Sequence, residues 1–339
     1  MKGSPKAEII KLKSEIKRLK AANAKLSGVG LKKDDKPKVK APDIFESDFK
    51  KAEKTVGEYF NSLKFSPSKG TIEIYKERYV LVRASALSYD FLNSFKKLYS
   101  DKGEDEAINI ANNILFDLAH VIGLEDARNF HKKMKLKDPI SKLSAGPIHF
   151  AYSGWAFVDI LPESKPSPNE KFFLKYHHPF SFEADSWIRA GKKSKVPVCI
   201  MNSGYSSGWC EESFGIPLTA VEISCRAKGD KHCTFIMAPP NKIESYIKNH
   251  QKKSSVKAIS IPSFLERKKL DEELKSSERQ YREIFENASD MIQSIDLYGN
   301  IQYINDAWIK TLGYSKKEVE KKNVMDFIHP DYHEHCRIM

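Results

Sequence analysis

Ile9, Leu12, Ile16, Leu19, Asn23 and Leu26 follow one another at alternating steps of three and four residues. That is the a/d repeat of a coiled coil, and Ile at a, Leu at d and one Asn at an a position favour two parallel strands in register. With only about three heptads the coil is marginal alone, so residues 1–28 are expected to extend a dimer made elsewhere. Gly, Pro and mixed charge make 29–43 a linker. A helical repeat returns over 44–64, and the β-branched, aromatic stretch 71–83 predicts a hairpin or two edge strands. Helices are expected at 88–98, 104–122 and 125–135. Strands follow at 148–160 and 172–176, separated by a Pro/Ser-rich loop at 162–169. Next come a helix at 182–190, a strand at 196–201, a helix at 206–214, and strands at 220–226 and 233–237. Helices followed by mixed elements give an α+β domain over 65–240.

Beyond it, 241–262 is polar and interrupted and reads as a second linker. Leu270, Leu274, Tyr281 and Phe285, set among dense charge, mark a dimeric connector helix, assigned to 263–280 and continuing to 288. Residues 281–339 form a last α/β unit. Its strand patterns at 291–296 and 301–305 are joined by a turn at 297–300, and a helix follows at 307–312.

Composition narrows the class. Apolar residues make up 40% and aromatics 11% of the 339 residues, enough for real cores and against wholesale disorder. No uninterrupted run reaches the roughly 20 apolar residues of a membrane span, and the charged start MKGSPKAEII lacks the apolar core of a signal peptide. A cytoplasmic chain without a membrane partner is the expectation. Of the net charge of +12, residues 1–42 carry 13 Lys and Arg against 4 Asp and Glu, which leaves +3 for the rest. The basic excess therefore belongs to an arm and reads as a solvated coil face and tether, with nucleic-acid binding the weaker alternative. Five cysteines are too few for a disulfide scaffold, so clustered ones suggest metal or redox chemistry.

The spacing Cys199-x22-Glu222-x2-Cys225-x7-Cys233 places ligand types on neighbouring strands and their turn. Three sulfurs and one oxygen give a closed, four-coordinate site suited to structural zinc. A closed site leaves no position for an activated water. His232 rivals Glu222 as the fourth ligand, and inert buried thiols are the other reading of the apolar Pro-Val-Cys-Ile context. Cys210 and Cys336 have no partners in this pattern.

The stretches GYSSGWCEESFG (204–215) and VEISCRAKGDKHC (221–233) resemble the 4-vinyl-reductase-type sensor domain of bacterial activators of aromatic catabolism. ERYVLVRASAL (77–87) resembles the start of that sensory region, and AGPIHFAYSGWAFVDI (145–160) with SFEAD (181–185) its middle. The resemblance implies zinc on Cys199, Glu222, Cys225 and Cys233, a small aromatic effector bound nearby, and a dimer made partly by exchanging N-terminal strands. Phenol sensors of that family hold the ligand hydroxyl with a His and a Trp. Here His149 is the candidate for the first role, while the Trp position falls on His178, which leaves a different small ligand open. Rings crowd the region from 146 to 215, and His149, Trp155, Tyr176, His178 and Tyr205 are the effector-binding candidates.

The Phe-Glu-Asn-Ala-Ser-Asp entry at 285–290, the Gly-Asn turn, Tyr-Ile-Asn-Asp-Ala at 303–307 and Leu-Gly-Tyr-Ser at 312–315 resemble the front half of a PAS domain. This implies a partial PAS unit within a longer signalling protein, of the kind that continues into a histidine kinase, a diguanylate cyclase or a DNA-binding activator. The preferred function is cytoplasmic sensing of a small effector by a homodimer, without catalysis in this region. Two other classes stay open: a dimerisation or assembly adaptor without ligand, and a reductase-like enzyme of tetrapyrrole or aromatic metabolism. Against the enzyme, the chain has no glycine-rich dinucleotide fingerprint and no nucleophile–base spacing.

Overall fold

The computed structural model describes Glu15 and residues 36–254, 262–320 and 322–337; the coiled-coil heptads lie outside them. A five-stranded sheet organises the domain, in the order β1 (Val39–Lys40), β5 (Ala156–Ile160), β6 (Leu174–Ser181), β8 (Cys233–Ala238), β7 (Thr219–Ser224). β1 runs parallel to β5, pairing Val39 with Val158, and all other pairs are antiparallel. The end of the expected linker 29–43 is thus an edge strand, followed by a 3-10 turn at Asp43–Phe45. Helix α1 (Glu46–Phe60) leads into a small separate sheet of β2 (Lys64–Ser66), β3 (Thr71–Ile74) and β4 (Glu77–Tyr79), the hairpin expected at 71–83. α2 (Tyr89–Leu98) follows as expected.

Where the pattern predicted two helices there is one, α3 (Glu104–Met134). Gly123 does not break it, because that glycine is a packing device. Together with Gly204 and Gly208 it lets α3 and α6 (Ile200–Phe214) touch backbone to backbone. A Cβ at Gly123 would meet Tyr205 O at 2.2 Å, one at Gly204 Phe116 O at 2.3 Å, and one at Gly208 His120 O at 2.1 Å. α3 is also long and apolar enough by composition to cross a membrane, which the search for an unbroken apolar run missed. In the structure Ala111, Leu115, Phe116, Ala119 and Ala127 on it are buried in the domain core.

Helix α4 (Pro139–Tyr152) starts with Pro139 after Asp138, whose side chain caps Ser141 N at 2.8 Å. It occupies the first part of the expected strand 148–160, and only Ala156–Ile160 is extended. Ile148, His149 and Phe150 are all buried, so neither helical nor alternating polarity marks the segment. β6 is longer than expected and contains His177, His178 and Pro179. Pro179 lies one residue past the last β6–β8 pair and opposite the irregularity at Phe157/Asp159 in β5, a place in a sheet that tolerates a missing N–H. α5 (Phe182–Arg189) follows directly. The strand expected at 196–201 is absent, since Cys199 is the N-cap of α6.

The polar stretch 241–262 is not all linker. α7 (Pro240–Ser254) packs there by burying Ile243 and Ile247 among its charges. The connector helix α8 spans Ser263–Asn287, with Phe264 and Leu265 buried at its start. The last unit has the expected hairpin, β9 (Gln293–Ile295) and β10 (Ile301–Ile304), then α9 (Asp306–Leu312), over a small core of Ile301, Ile304, Trp308 and Val319.

Candidate metal centre and effector cavity

Glu222 sits on β7, where the register with β8 shifts between Glu222 and Ser224. The shift re-aims the chain so that Cys225 turns toward Cys233 at the start of β8. Between them, Arg226–Lys228 makes a 3-10 turn and Gly229 adopts a φ of +103°, a conformation that favours glycine. Asp230 fixes this loop by accepting from Cys225 N at 2.8 Å. Cys199 arrives from the other side at the N-terminus of α6. The ligand atoms of Cys199, Glu222, Cys225 and Cys233 are all buried and lie within 4.8 Å of one another. His232 is outside the group, its ring stacked on that of His177 at 4.8 Å between centroids.

The carboxylate of Glu222 divides its work. Oε2 accepts from Cys199 N at 2.8 Å, while Oε1 is buried with no hydrogen-bond partner. A buried, unpartnered carboxylate oxygen is costly, and a cation among three thiols would satisfy it. Hydrogen bonds from the Cys199 and Cys233 thiols draw Cys225 well below the usual thiol pKa, whereas burial pushes Cys199 up. A divalent cation makes every such thiol a thiolate. The donor set therefore fits a metal. Other bonds fix its frame: Ser181 Oγ lies 3.2 Å from Cys199 Sγ, and Asn202 Nδ2 donates to Ser181 Oγ at 2.8 Å. Glu183 accepts from Met201 N and Asn202 N, both at 2.9 Å, so two carboxylates hold the start of α6. Burial raises the Glu183 pKa to about 8 even so.

On the inner face of the sheet, between α4 and α6, lies a small cavity of about 40 Å³. Leu143, Gly146, Pro147 and Phe150 wall it from α4, Tyr205, Ser206, Trp209 and Cys210 from α6, and Val158, Ile160, Leu174, Tyr176 and Met237 from the sheet. Two of the five effector candidates, Tyr176 and Tyr205, are on this wall. Trp155 stands behind it, its ring 4.7 Å from that of Tyr205 and 5.5 Å from that of Phe150. His178 is likewise in the next layer, packed on Tyr176, Phe150 and Phe235 at 5.3, 5.7 and 4.4 Å. It is fully buried, and neither ring nitrogen has a partner. His149 meets Tyr205 Oη through Nδ1 at 3.0 Å, and the same hydroxyl donates to Asp126 at 3.0 Å.

Trp209, Ser206 and Cys210 were not among the candidates. Their signal is the spacing 205, 206, 209, 210, one face of a helix, which is legible only once α6 is known to begin at Ile200. Tyr176 Oη has no aligned hydrogen-bond partner, with the Ser206 side chain beside it.

The buried imidazoles make stability acid-sensitive. Burial lowers His131 to about 4 and His149 to about 3. Between these values and the ordinary 6.5, the unfolded chain binds protons that the folded chain does not, so stability falls as pH drops below 6.5. Asp126, raised to about 6 by burial, and Glu183 act in the opposite sense. We expect His131→Leu to lose less stability than the unaltered chain between pH 6.5 and pH 4, measured by urea midpoints. Equal loss in both would remove His131 from the acid response.

Residues 59–162 match the family described as activator of aromatic catabolism, 180–239 the 4-vinyl-reductase domain, and 279–338 the PAS fold. Among solved structures, the phenol-responsive sensory domain of the transcription activator PoxR, determined with phenol, is 19% identical. The match covers 58% of this chain and 96% of that one, with a TM-score of 0.48. None of the curated proteins matches the chain. In chain order, the protein thus carries a region of the activator-of-aromatic-catabolism family, a 4-vinyl-reductase domain and a PAS fold.

Proposed function

We propose that residues 65–240 bind a small apolar or aromatic effector, in a domain held together by structural zinc on Cys199, Glu222, Cys225 and Cys233. Occupancy then acts through α8, in a homodimer, on the PAS unit. The observation that carries this reading is the apolar cavity walled by Tyr176, Tyr205 and Trp209 against a helix whose start is fixed by the metal residues. Zinc there supplies a cross-link between β7, β8 and α6, and the protein residues do the recognition.

The cavity is smaller than the roughly 150 Å³ of an engineered apolar cavity that admits benzene. Binding a ring therefore requires wall side chains to move, and that differential packing is what couples a ligand to a conformational equilibrium. α6 bears half of the wall and crosses α3 in backbone contact. α3 in turn holds the connector: Phe116 stacks on Phe264 at 4.0 Å, and Arg267 pairs with Asp117 at 2.7 Å. Further along α8, Leu270, Leu274, Tyr281 and Ile284 are exposed, a seam available to a second copy.

His178 is the nearest buried group with free hydrogen-bonding capacity, and a neutral imidazole can donate from one nitrogen and accept at the other. Calorimetric titration of the zinc-loaded chain with phenols and other small aromatics is expected to give a saturable site. His178→Ala should weaken it by about 1–3 kcal/mol, with zinc content unchanged. Equal affinity in the variant would remove His178 from the site, and no binding by any member of the panel would favour the adaptor reading.

A further inference from the structure

The opposite face of the same sheet carries a second concavity, of about 440 Å³, within the usual range for small-molecule sites. Its floor is Lys175 and Ile236, Cα partners across β6 and β8. The loop before β6 folds back as one wall: Lys165 N donates to Phe173 O at 2.6 Å and Phe173 N to Lys165 O at 3.1 Å. α7 is the other wall. Its buried Ile243 and Ile247 seat it on the sheet, and Tyr246 packs its ring on that of Phe173 at 4.6 Å.

The charge of this cleft is one-sided. Glu163 is its single carboxylate, and Lys175 Nζ, 2.9 Å away, already matches it. Lys242, nearby on α7, is paired with Glu170. Lys165 and Lys171 line the cleft and form no ion pair among the described residues. Burial and the neighbouring Lys175 hold His250 below its usual pKa, so the positive charge is that of the lysines. Two uncompensated ammonium groups thus stand over an aromatic, apolar surface. Apart from Ile236, the lining residues fall in 163–179 or beyond 239, outside the segments matched to the two sensory families.

We propose that this cleft is a second ligand site, which takes a small anion carried on a planar ring. The ring lies against Phe173 and Tyr246, and the anionic group is held by Lys165 and Lys171. Aromatic carboxylates and nucleoside monophosphates share that chemistry. A ligand there touches both the sheet and α7, and so stabilises the docking of the helix that precedes the connector.

The test is calorimetric titration of the full zinc-loaded chain with 2-naphthoate, with AMP, and with inorganic phosphate as a ring-free anion. Naphthoate, AMP or both should bind, and phosphate at least about tenfold more weakly; which of the two binds tighter separates the carboxylate source from the nucleotide source. Lys165→Glu with Lys171→Glu, both exposed positions, should weaken binding by about tenfold or more while the circular dichroism stays unchanged. Saturating phenol should not compete. The proposal is overturned if neither ring-bearing anion binds, if the lysine variant binds as tightly as the unaltered chain, or if phenol displaces the probe.

Discussion

Serine in place of Cys225 or Cys233 is expected to cost the protein its metal and its fold together. The four ligand atoms converge from β7, the following turn, β8 and the N-terminus of α6, so the metal joins segments that otherwise meet only through a few hydrogen bonds. In a closed site the binding free energy of the metal is folding free energy. Its loss is on the order of several kcal/mol, a large part of the about 5–15 kcal/mol by which domains of this kind are stable. Zinc analysis of the purified chain should give about one metal per chain, the occupancy expected of a structural site with four protein ligands, and thermal unfolding of either variant should show a lowered or lost transition. A metal-free, unaltered chain that unfolds cooperatively at the same temperature as the zinc-loaded one would falsify the structural role.

The second large effect is expected at the α3–α6 crossing. Gly208→Val places side-chain carbon where His120 O and Leu124 N already stand 2.1 and 2.8 Å from an ideal Cβ. Those atoms are helical backbone and cannot swing aside, so the helices must separate. Overpacking of this kind costs about 3 kcal/mol or more, a fall of roughly 6–12 °C in Tm for a domain of this size. Effector affinity should fall too, because Tyr205 and Trp209 flank the crossing. Gly57→Ala in α1 supplies the contrast. Its Cβ would find only Tyr152 Oη, at 3.5 Å, and removing a helical glycine is worth roughly 0.5–1 kcal/mol of stabilisation. Opposite signs at two helical glycines are the outcome expected from scanning calorimetry; destabilisation of similar size at both would mean that the crossing is not special.

Legibility differed between the two sites. The four metal residues stand out because ligand chemistry restricts residue type and because hairpin geometry restricts spacing, and the structure brings all four together. The cavity wall was harder to read. Tyr176 and Tyr205 reach it, but His149, Trp155 and His178 lie one layer back, since ring composition alone does not say which ring faces a void. Trp209 and Cys210 went unassigned because α6 was expected to start at 206, which rotates its faces. The single long α3 was hidden by Gly123, a residue that usually signals a break and here marks a close approach. α7 was hidden by its charges; two isoleucines are enough to seat it because the sheet beneath is already formed. Pro179 suggested a loop where β6 continues, and only the pairing of β6 with its neighbours makes a proline acceptable there.

The position of the metal ligands along the chain bears on synthesis. A ribosome delivers residues in order, and Cys199, Glu222, Cys225 and Cys233 come after α1, α3, α4 and the first strands have all emerged. Until Cys233 is out, nothing closes the clamp. The Gly204–Gly208 surface of α6 must find α3 while its own first turn is still untethered, and the apolar face of α3 waits for it. Metal scarcity would then act on nascent chains more than on finished ones. A cell short of zinc would lose newly made copies to aggregation or proteolysis, while molecules already assembled, with the ion enclosed by four buried side chains, would persist.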